Sequence, residues 1–375
     1  MRAFLYGLFL LCVNTAFADE LVGFAAYANG DYTTAYPHLM QAAREGNDEA
    51  MLVLGRMYEN GYGVPQSTKE ALSWYLKSAE KKNPLSELSL GFLYDSGKGV
   101  SQSLPDAFKW YMKSAEQGNA LAQRNIGLMY FAGDGVQASE EQAAIWFKKS
   151  AEQGYSKAQV NLGYLYMTGK GVPKDVGTAF KWFKKAAEQG DEQGEYSLGL
   201  LYTGQMGDIP AVDSSAFYWF FQAANQGNVN AQVYLAYYYL NGLGTNPDPQ
   251  KAAYWYQAAA EKGHPEAEAQ MGQLLLTGTG IDKDYQQAVF WFEKSAQQGN
   301  PLGQAKLAYM YIAGLGVPQD YTKAYVWLKL AAESKNAEVL KELKSLEPKL
   351  SEQNKKDADQ MIKDMGIMDS HKNGN

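Results

Sequence analysis

Eight tryptophans stand at Trp74, Trp110, Trp146, Trp182, Trp219, Trp255, Trp291 and Trp327, and the steps between them are 36, 36, 36, 37, 36, 36 and 36 residues. A fixed period of this size demands a stack of like units rather than one irregular core. The unit over residues 156–191 reads SKAQVNLGYLYMTGKGVPKDVGTAFKWFKKAAEQGD. Ala158, Leu162, Leu165 and Tyr166 fall on one helical face with Gly163 beside them, which predicts a helix over 156–168. The run Gly169-Lys170-Gly171-Val172-Pro173 breaks it, since glycine tolerates positive φ and proline has no N–H to donate. Asp175 suits the N-cap of a second helix through Ala179, Trp182, Phe183, Ala186 and Ala187, ending before Gly190. Neither helix is long enough to be stable alone in water. Each must bury its stripe against its partner and the next unit. The expected fold is all-α, a right-handed superhelical α-solenoid of stacked helix-turn-helix repeats.

The columns of the repeat say more. Three residues before each Trp stands an alanine, from Ala71 to Ala324, and five after it another, from Ala79 to Ala332. Small residues at fixed places imply close helix approach, with Trp filling the space between. On that reading Trp182→Ala costs about 3–5 kcal/mol. The second-helix cap reads Ser67, Ser103, Ser139, Asp175, Asp248, Asp284 and Asp320. Repeat five alone departs, with Val212 at the cap and Asp213 one place later, and its extra residue lies within 202–215.

These residues resemble the Sel1-like repeat family, whose motif runs Leu-Gly-x-x-Tyr, Gly-x-Gly-Val, a capping Asp, Ala-x-x-Trp-aromatic and Ala-Ala-x-x-Gly. Leu162, Gly163, Tyr166, Gly169, Gly171, Val172, Asp175, Ala179, Trp182, Phe183, Ala186, Ala187 and Gly190 match it in turn. Tetratricopeptide repeats share the architecture, but their period is 34 and their Trp lies on the first helix. The resemblance implies a non-enzymatic adaptor or scaffold that binds protein partners. Some exported relatives staple each repeat with a disulfide; here the only cysteine is Cys12.

In chain order, residues 1–18 read as a secretory signal. Arg2 precedes the short apolar run 3–13, and Ala16-Phe17-Ala18 forms a small-x-small cleavage site. The run is too short to favour a spanning helix, and nothing else resembles a membrane segment. Without residues 1–18 the chain carries 33 basic and 41 acidic residues, a formal charge of −8, and no cysteine. That balance argues against general nucleic-acid binding. Residues 19–46 resemble a shortened capping half-repeat, with His38 in the Trp column. Eight repeats occupy 47–336. Residues 337–368 form C-terminal capping helices, divided by Pro348, and 369–375 a disordered tail. Exported, the chain is expected in the periplasm or outside the cell, as a monomer.

Catalytic chemistry finds little support. His38, His264 and His371 lie in different units, where a zinc site needs clustered ligands. His38 reads as a packed substitute for Trp and His264 as a cap. The Gly97-Lys98-Gly99 and Gly278-Thr279-Gly280 turns lack the strand-before, helix-after context of a phosphate loop. The pair Asp282 and Asp284 lies on a turn where capping explains it. No nucleophile elbow is present. No cofactor, metal site or enzymatic activity is expected.

Binding chemistry finds more. Lys77, Lys113, Lys149, Lys185 and Lys294 stand three residues after Trp, a ridge that could meet acidic partners or lipid head groups. Glu80, Glu116, Glu152 and Glu188, three further on, suit i,i+3 pairing and a merely solvated face. On the first helix, Phe92, Leu128, Tyr164, Leu200, Tyr237 and Tyr309 follow the glycine or alanine of Leu-Gly, and Asn125, Asn161 and Tyr234 precede it by two. By analogy with helical solenoids this helix lines the concave surface. Asn125, Asn161, Tyr164, Tyr234 and Tyr237 would then form a groove for a peptide or helix of a partner, with inter-repeat core as the rival reading. Phe221 occupies a column held elsewhere by Lys148, Lys184, Gln257, Glu293 and Lys329, which marks either a contact patch or cover for the irregular loop of its own repeat. Exported bacterial relatives of this length include host-interaction factors. The resemblance therefore implies a host-protein partner and a role in host-cell invasion or trafficking. A periplasmic scaffold for cell-envelope enzymes is the alternative.

Overall fold

The computed structural model describes residues 20–207 and 209–365. The expected signal at 1–18, Cys12, His371 and the tail at 369–375 lie outside the described residues. The chain divides into two compact units, Met1–Ala186 and Ala187–Asn375. Among the described residues every regular element is helical.

In the first unit α1 covers residues 20–28, followed by α2 (Tyr32–Arg44). Four repeat pairs come next: α3 (Asp48–Asn60) with α4 (Thr68–Glu80), α5 (Pro84–Ser96) with α6 (Leu104–Glu116), α7 (Ala120–Ala132) with α8 (Glu140–Glu152), and α9 (Ser156–Thr168) with α10 (Val176–Ala187). The last residue of α10 passes into the second unit. There the pairs are α11 (Glu192–Tyr202) with α12 (Asp213–Asn225), α13 (Val229–Asn241) with α14 (Pro249–Glu261), α15 (Pro265–Thr277) with α16 (Tyr285–Gln297), and α17 (Pro301–Ala313) with α18 (Tyr321–Ala331). Pro348 lies in a 3-10 turn between α19 (Ala337–Leu346) and α20 (Glu352–Asp364). Within each unit, helices adjacent in sequence pack on one another, which makes the fold an all-α solenoid of helix pairs.

The caps form where side-chain chemistry places them. Ser67, Ser103, Ser139, Asp175, Asp248, Asp284 and Asp320 each accept a backbone N–H at the start of the second helix. Val212 makes no such bond, and Asp213 is the first helical residue after it. The first helices carry their own cap column: Asn47, Asn83, Asn119, Asp191, Asn228 and Asn300 accept an N–H three residues on. His264 does the same through Nδ1, 3.4 Å from Ala267 N.

The core differs from the expectation at one point. Most of the tryptophans do not fill the gap between paired helices. Trp74, Trp110, Trp182, Trp219 and Trp255 stay partly exposed. Trp146, Trp291 and Trp327 are buried, but the residue after every one of the eight is buried too: Tyr75, Tyr111, Phe147, Phe183, Phe220, Tyr256, Phe292 and Leu328. Consecutive helical residues point about 100° apart, so only one of the two can face the partner helix. The facing glycine makes the room. A Cβ on Gly163 would stand 2.7 Å from the Phe183 ring, inside contact distance.

Successive repeats lock at two places. The second glycine of each Gly-x-Gly turn sits against the start of the preceding second helix. Gly171 has φ +65°, and a Cβ there would run into the carbonyl of Glu140. The other lock is a buried polar column on the first helices: Glu87, Gln123, Gln159, Glu195, Gln232, Glu268 and Gln304. The amides of Gln123 and Gln159 donate to the carbonyls of Ala115 and Ala151 on the helix before, at 3.1 and 3.2 Å. Glu87, Glu195 and Glu268 instead accept from Gln117, Gln226 and Gln298 of their own repeats at 2.6–2.8 Å. Burial pushes all three carboxyls above their ordinary range, and those glutamine bonds pull the other way.

Candidate protein-binding surface

The first-helix column behaves as a surface. Phe92 and Tyr164 in the first unit, and Tyr237 and Tyr309 in the second, are all exposed large side chains. Leu128 and Leu200 in the same column are half-buried. The backbone geometry explains the exposure: each follows the glycine or alanine that faces the partner helix, so it is turned about 100° away from the core. Phe92 is held edge-on to the Tyr111 ring at 5.4 Å, and Tyr237 lies at 6.2 Å from Tyr238.

The other predicted residues divide. Asn125 is nearly buried, beside the Tyr111 hydroxyl, and offers a partner little area. Asn161 is half-buried, and its Oδ1 accepts from Arg124 Nε of the preceding first helix at 3.0 Å. Tyr234 stacks on Phe220 at 4.8 Å and also lies against Tyr196, so it is largely a core flank. Phe221 is half-buried on α12, stacked on Phe217 at 6.3 Å. Tyr164 and Tyr237 are the two members of the predicted set that present most surface.

In the second unit α15, α17 and α19 bound a cleft of about 960 Å³. Tyr285 and Tyr309 supply its aromatic wall, with Lys283, Lys306, Glu266 and Glu338 around them. Glu266 is fixed by Gln270 and Asn300, whose amides donate to its two oxygens at 2.9 and 3.2 Å. An aromatic wall in a largely polar cleft with both signs of charge suits an extended or helical peptide better than a small uncharged ligand. The cleft was not legible in sequence, because α19, capped by Asn336 at the first-helix position, lies beyond the last repeat that the Trp column marks.

The lysine column has a partner that neither reading of the sequence foresaw. The ammonium groups of Lys77, Lys113, Lys149 and Lys185 sit over the rings of Trp74, Trp110, Trp146 and Trp182 at 3.8–4.3 Å. Lys294 lies 5.1 Å from the Trp291 ring. It is Lys148 that reaches Glu152, at 3.8 Å. Each of these rings is therefore covered by its own lysine, a cation–π contact worth about 0.5–1 kcal/mol where the ring is partly exposed. Among the described residues, no three His, Cys, Asp or Glu side chains are grouped as a metal site would need. No helix there is long and apolar enough to cross a membrane.

Stacked helix pairs with exposed side chains recurring at one position define an α-solenoid scaffold, a class that generally serves protein–protein interaction. The chain belongs to the Sel1 repeat family. Sel1 repeats match at residues 48–83, 84–119, 120–155, 156–191, 193–228, 229–264, 265–300 and 301–336. Among solved structures it is similar to c5321, a protective antigen present in uropathogenic Escherichia coli strains and displaying an SLR fold. The two are 33% identical with a TM-score of 0.86, over 93% of this chain and 76% of the antigen. A Sel1 repeat protein from Oxalobacter formigenes is 32% identical with a TM-score of 0.62, over 83% of this chain and 90% of the other. No curated protein matches the chain. Sel1 repeat proteins are generally non-enzymatic scaffolds.

Proposed function

We propose that this chain is an exported, non-enzymatic adaptor that binds a host protein through exposed side chains of its first helices. The observation that carries the reading is the recurrence of exposed Phe92, Tyr164, Tyr237 and Tyr309 at one repeat position. Large aromatics left exposed at one repeat position form a recurring apolar column, and such residues are the usual anchors of protein interfaces. The apparent signal at 1–18 supports export. Similarity to a protective antigen of uropathogenic strains supports a role outside the bacterial cytoplasm.

The test is a pull-down with residues 19–375 from host lysate and from bacterial envelope lysate. Its control is the Tyr164→Ala, Tyr237→Ala, Tyr309→Ala variant, checked for unchanged helicity. A host protein retained by wild type and lost by the variant is the expected result. Capture of envelope proteins alone would move the function to a periplasmic scaffold. Equal capture by both proteins would overturn the face assigned here.

A further inference from the structure

On the second helices of the second unit one column of large side chains faces solvent, and the chain itself shows how such a face is covered. The residue before Trp on each second helix points outward. Ile145, Tyr218, Tyr254 and Phe290 hold this position and are 46%, 51%, 64% and 44% exposed. Val326 is the equivalent on α18, and it is 0% exposed. Side-chain size does not account for the difference, since the aliphatic Ile145 stays open. The cover is α20, which packs directly on α18. Asn354 Nδ2 donates to Thr322 Oγ1 at 3.1 Å, and Lys329 Nζ pairs with Asp359 at 2.6 Å. Thr322, Val326 and Lys329 are spaced i, i+4, i+7, which is one helical face. Ala358 and Ile362 of α20 are buried in the same cluster as Val326. In the other repeats of this unit the second helix packs on its own first helix and the next one, and the residue before Trp stays exposed.

The same three positions on α12 are Ser214, Tyr218 and Phe221, on α14 Gln250, Tyr254 and Gln257, and on α16 Gln286, Phe290 and Glu293. Only α12 is apolar at both the middle and the last position. Its aromatics are held in place: Tyr218 stands edge-on to Trp219 at 4.8 Å, and Phe221 stacks on Phe217. Phe221 stands where α18 has the lysine that pairs with Asp359.

We propose that the Ser214–Tyr218–Phe221 face of α12 docks an amphipathic helix of a partner protein, lying on it as α20 lies on α18. The docked helix carries an apolar residue where α20 has Asp359, because a carboxylate facing Phe221 would lose water and gain no cation. Its apolar stripe is therefore longer than that of α20. This site is separate from the first-helix face and does not depend on it.

Two helix-stapled peptides of residues 351–365 serve as probes, one native and one with Asp359→Leu, each stapled between the exposed positions 356 and 360. Binding to the full chain is followed by fluorescence anisotropy. The Asp359→Leu peptide should bind saturably and at least tenfold tighter than the native peptide. Phe221→Lys should reverse that order. Tyr218→Ser, at an exposed position, should weaken the Asp359→Leu peptide tenfold without moving Tm, so the test survives if changes at Phe221 disturb folding. Equal binding of the two peptides, no saturation, or indifference to Tyr218→Ser would overturn the proposal. So would co-sedimentation with phosphatidylglycerol vesicles, or a concentration-dependent dimer in light scattering, that is lost in Tyr218→Ser while the peptides do not bind. Those results would assign the face to a membrane or to a second copy.

Discussion

Phe183, and not Trp182 beside it, occupies the gap between α9 and α10. It is essentially buried against Gly163, whereas Trp182 keeps part of its ring in solvent under Lys185. Phe183→Ala should therefore cost about 3–5 kcal/mol, the range for emptying a core aromatic site. Trp182→Ala should cost about 1–2 kcal/mol, for partial burial and the lysine contact. Equilibrium urea unfolding of the two variants checks the order; a larger loss for Trp182→Ala would reverse the roles. Gly163→Ala tests the same contact from the other side. It should be destabilising although alanine favours helix, because the ring must move. The tryptophans set the period so clearly because they are rare and regular, but periodicity alone does not say which of two neighbouring residues points inward. The pairing of Gly163 with Phe183, repeated as Gly127 with Phe147 and Gly272 with Phe292, carried that information.

At the scale of the helix, boundaries were legible because caps are local chemistry. The helix expected over 156–168 is α9 to the residue. Asp175 caps the next helix through Thr178, and His264 takes the cap role expected of it. The asparagine caps of the first helices stood at the same period and were an available signal. Repeat five shows what a missing cap does: Val212 leaves the first N–H groups of α12 without a side-chain acceptor. Val212→Ser should supply one, since the backbone there is close to that of Ser67. A gain of about 0.5–1 kcal/mol is expected in thermal unfolding. The buried glutamates were not legible, because their columns alternate with glutamine and only packing shows them to be inside. A carboxyl whose folded-state pKa is raised stabilises the fold most when protonated, and that contribution is lost as pH rises through the folded value. Burial raises Glu87, Glu195 and Glu268 above 4.5. Changing all three to Gln, the residue already present at Gln123 and Gln159, should raise Tm at neutral pH. The advantage over wild type should close as pH falls toward 4.5. A variant less stable than wild type at neutral pH would mean that the bonds from Gln117, Gln226 and Gln298 outweigh the cost of burying charge.

For the molecule as a whole, the repeat count and all-helical class followed from the period, while the surfaces did not. Tyr164 and Tyr237 are exposed, as a binding role requires, but Asn125 is packed beside Tyr111 and Asn161 is engaged by Arg124. Two positions before the glycine lies close to the seam between successive first helices, and sequence spacing does not resolve a seam from an open face. The cover of α18 by α20 was also out of reach, since residues 337–365 do not repeat. Removing α20 by ending the chain at Leu346 should bare Val326 and lower Tm. It should also raise binding of an apolar dye; unchanged dye binding would mean that another segment covers α18.

The contact of Gly171 with the backbone of Glu140 recurs as Gly280 on Pro249 and Gly316 on Tyr285. At these three joints the glycine meets main chain alone, so the contact does not depend on which side chain the neighbouring unit carries there. Units joined in this way can follow one another provided the reading frame of the array is kept. Unequal recombination in the gene could add or drop whole multiples of 36 residues and leave joints of this kind closed. The unit with 37 is the one that breaks this interchangeability.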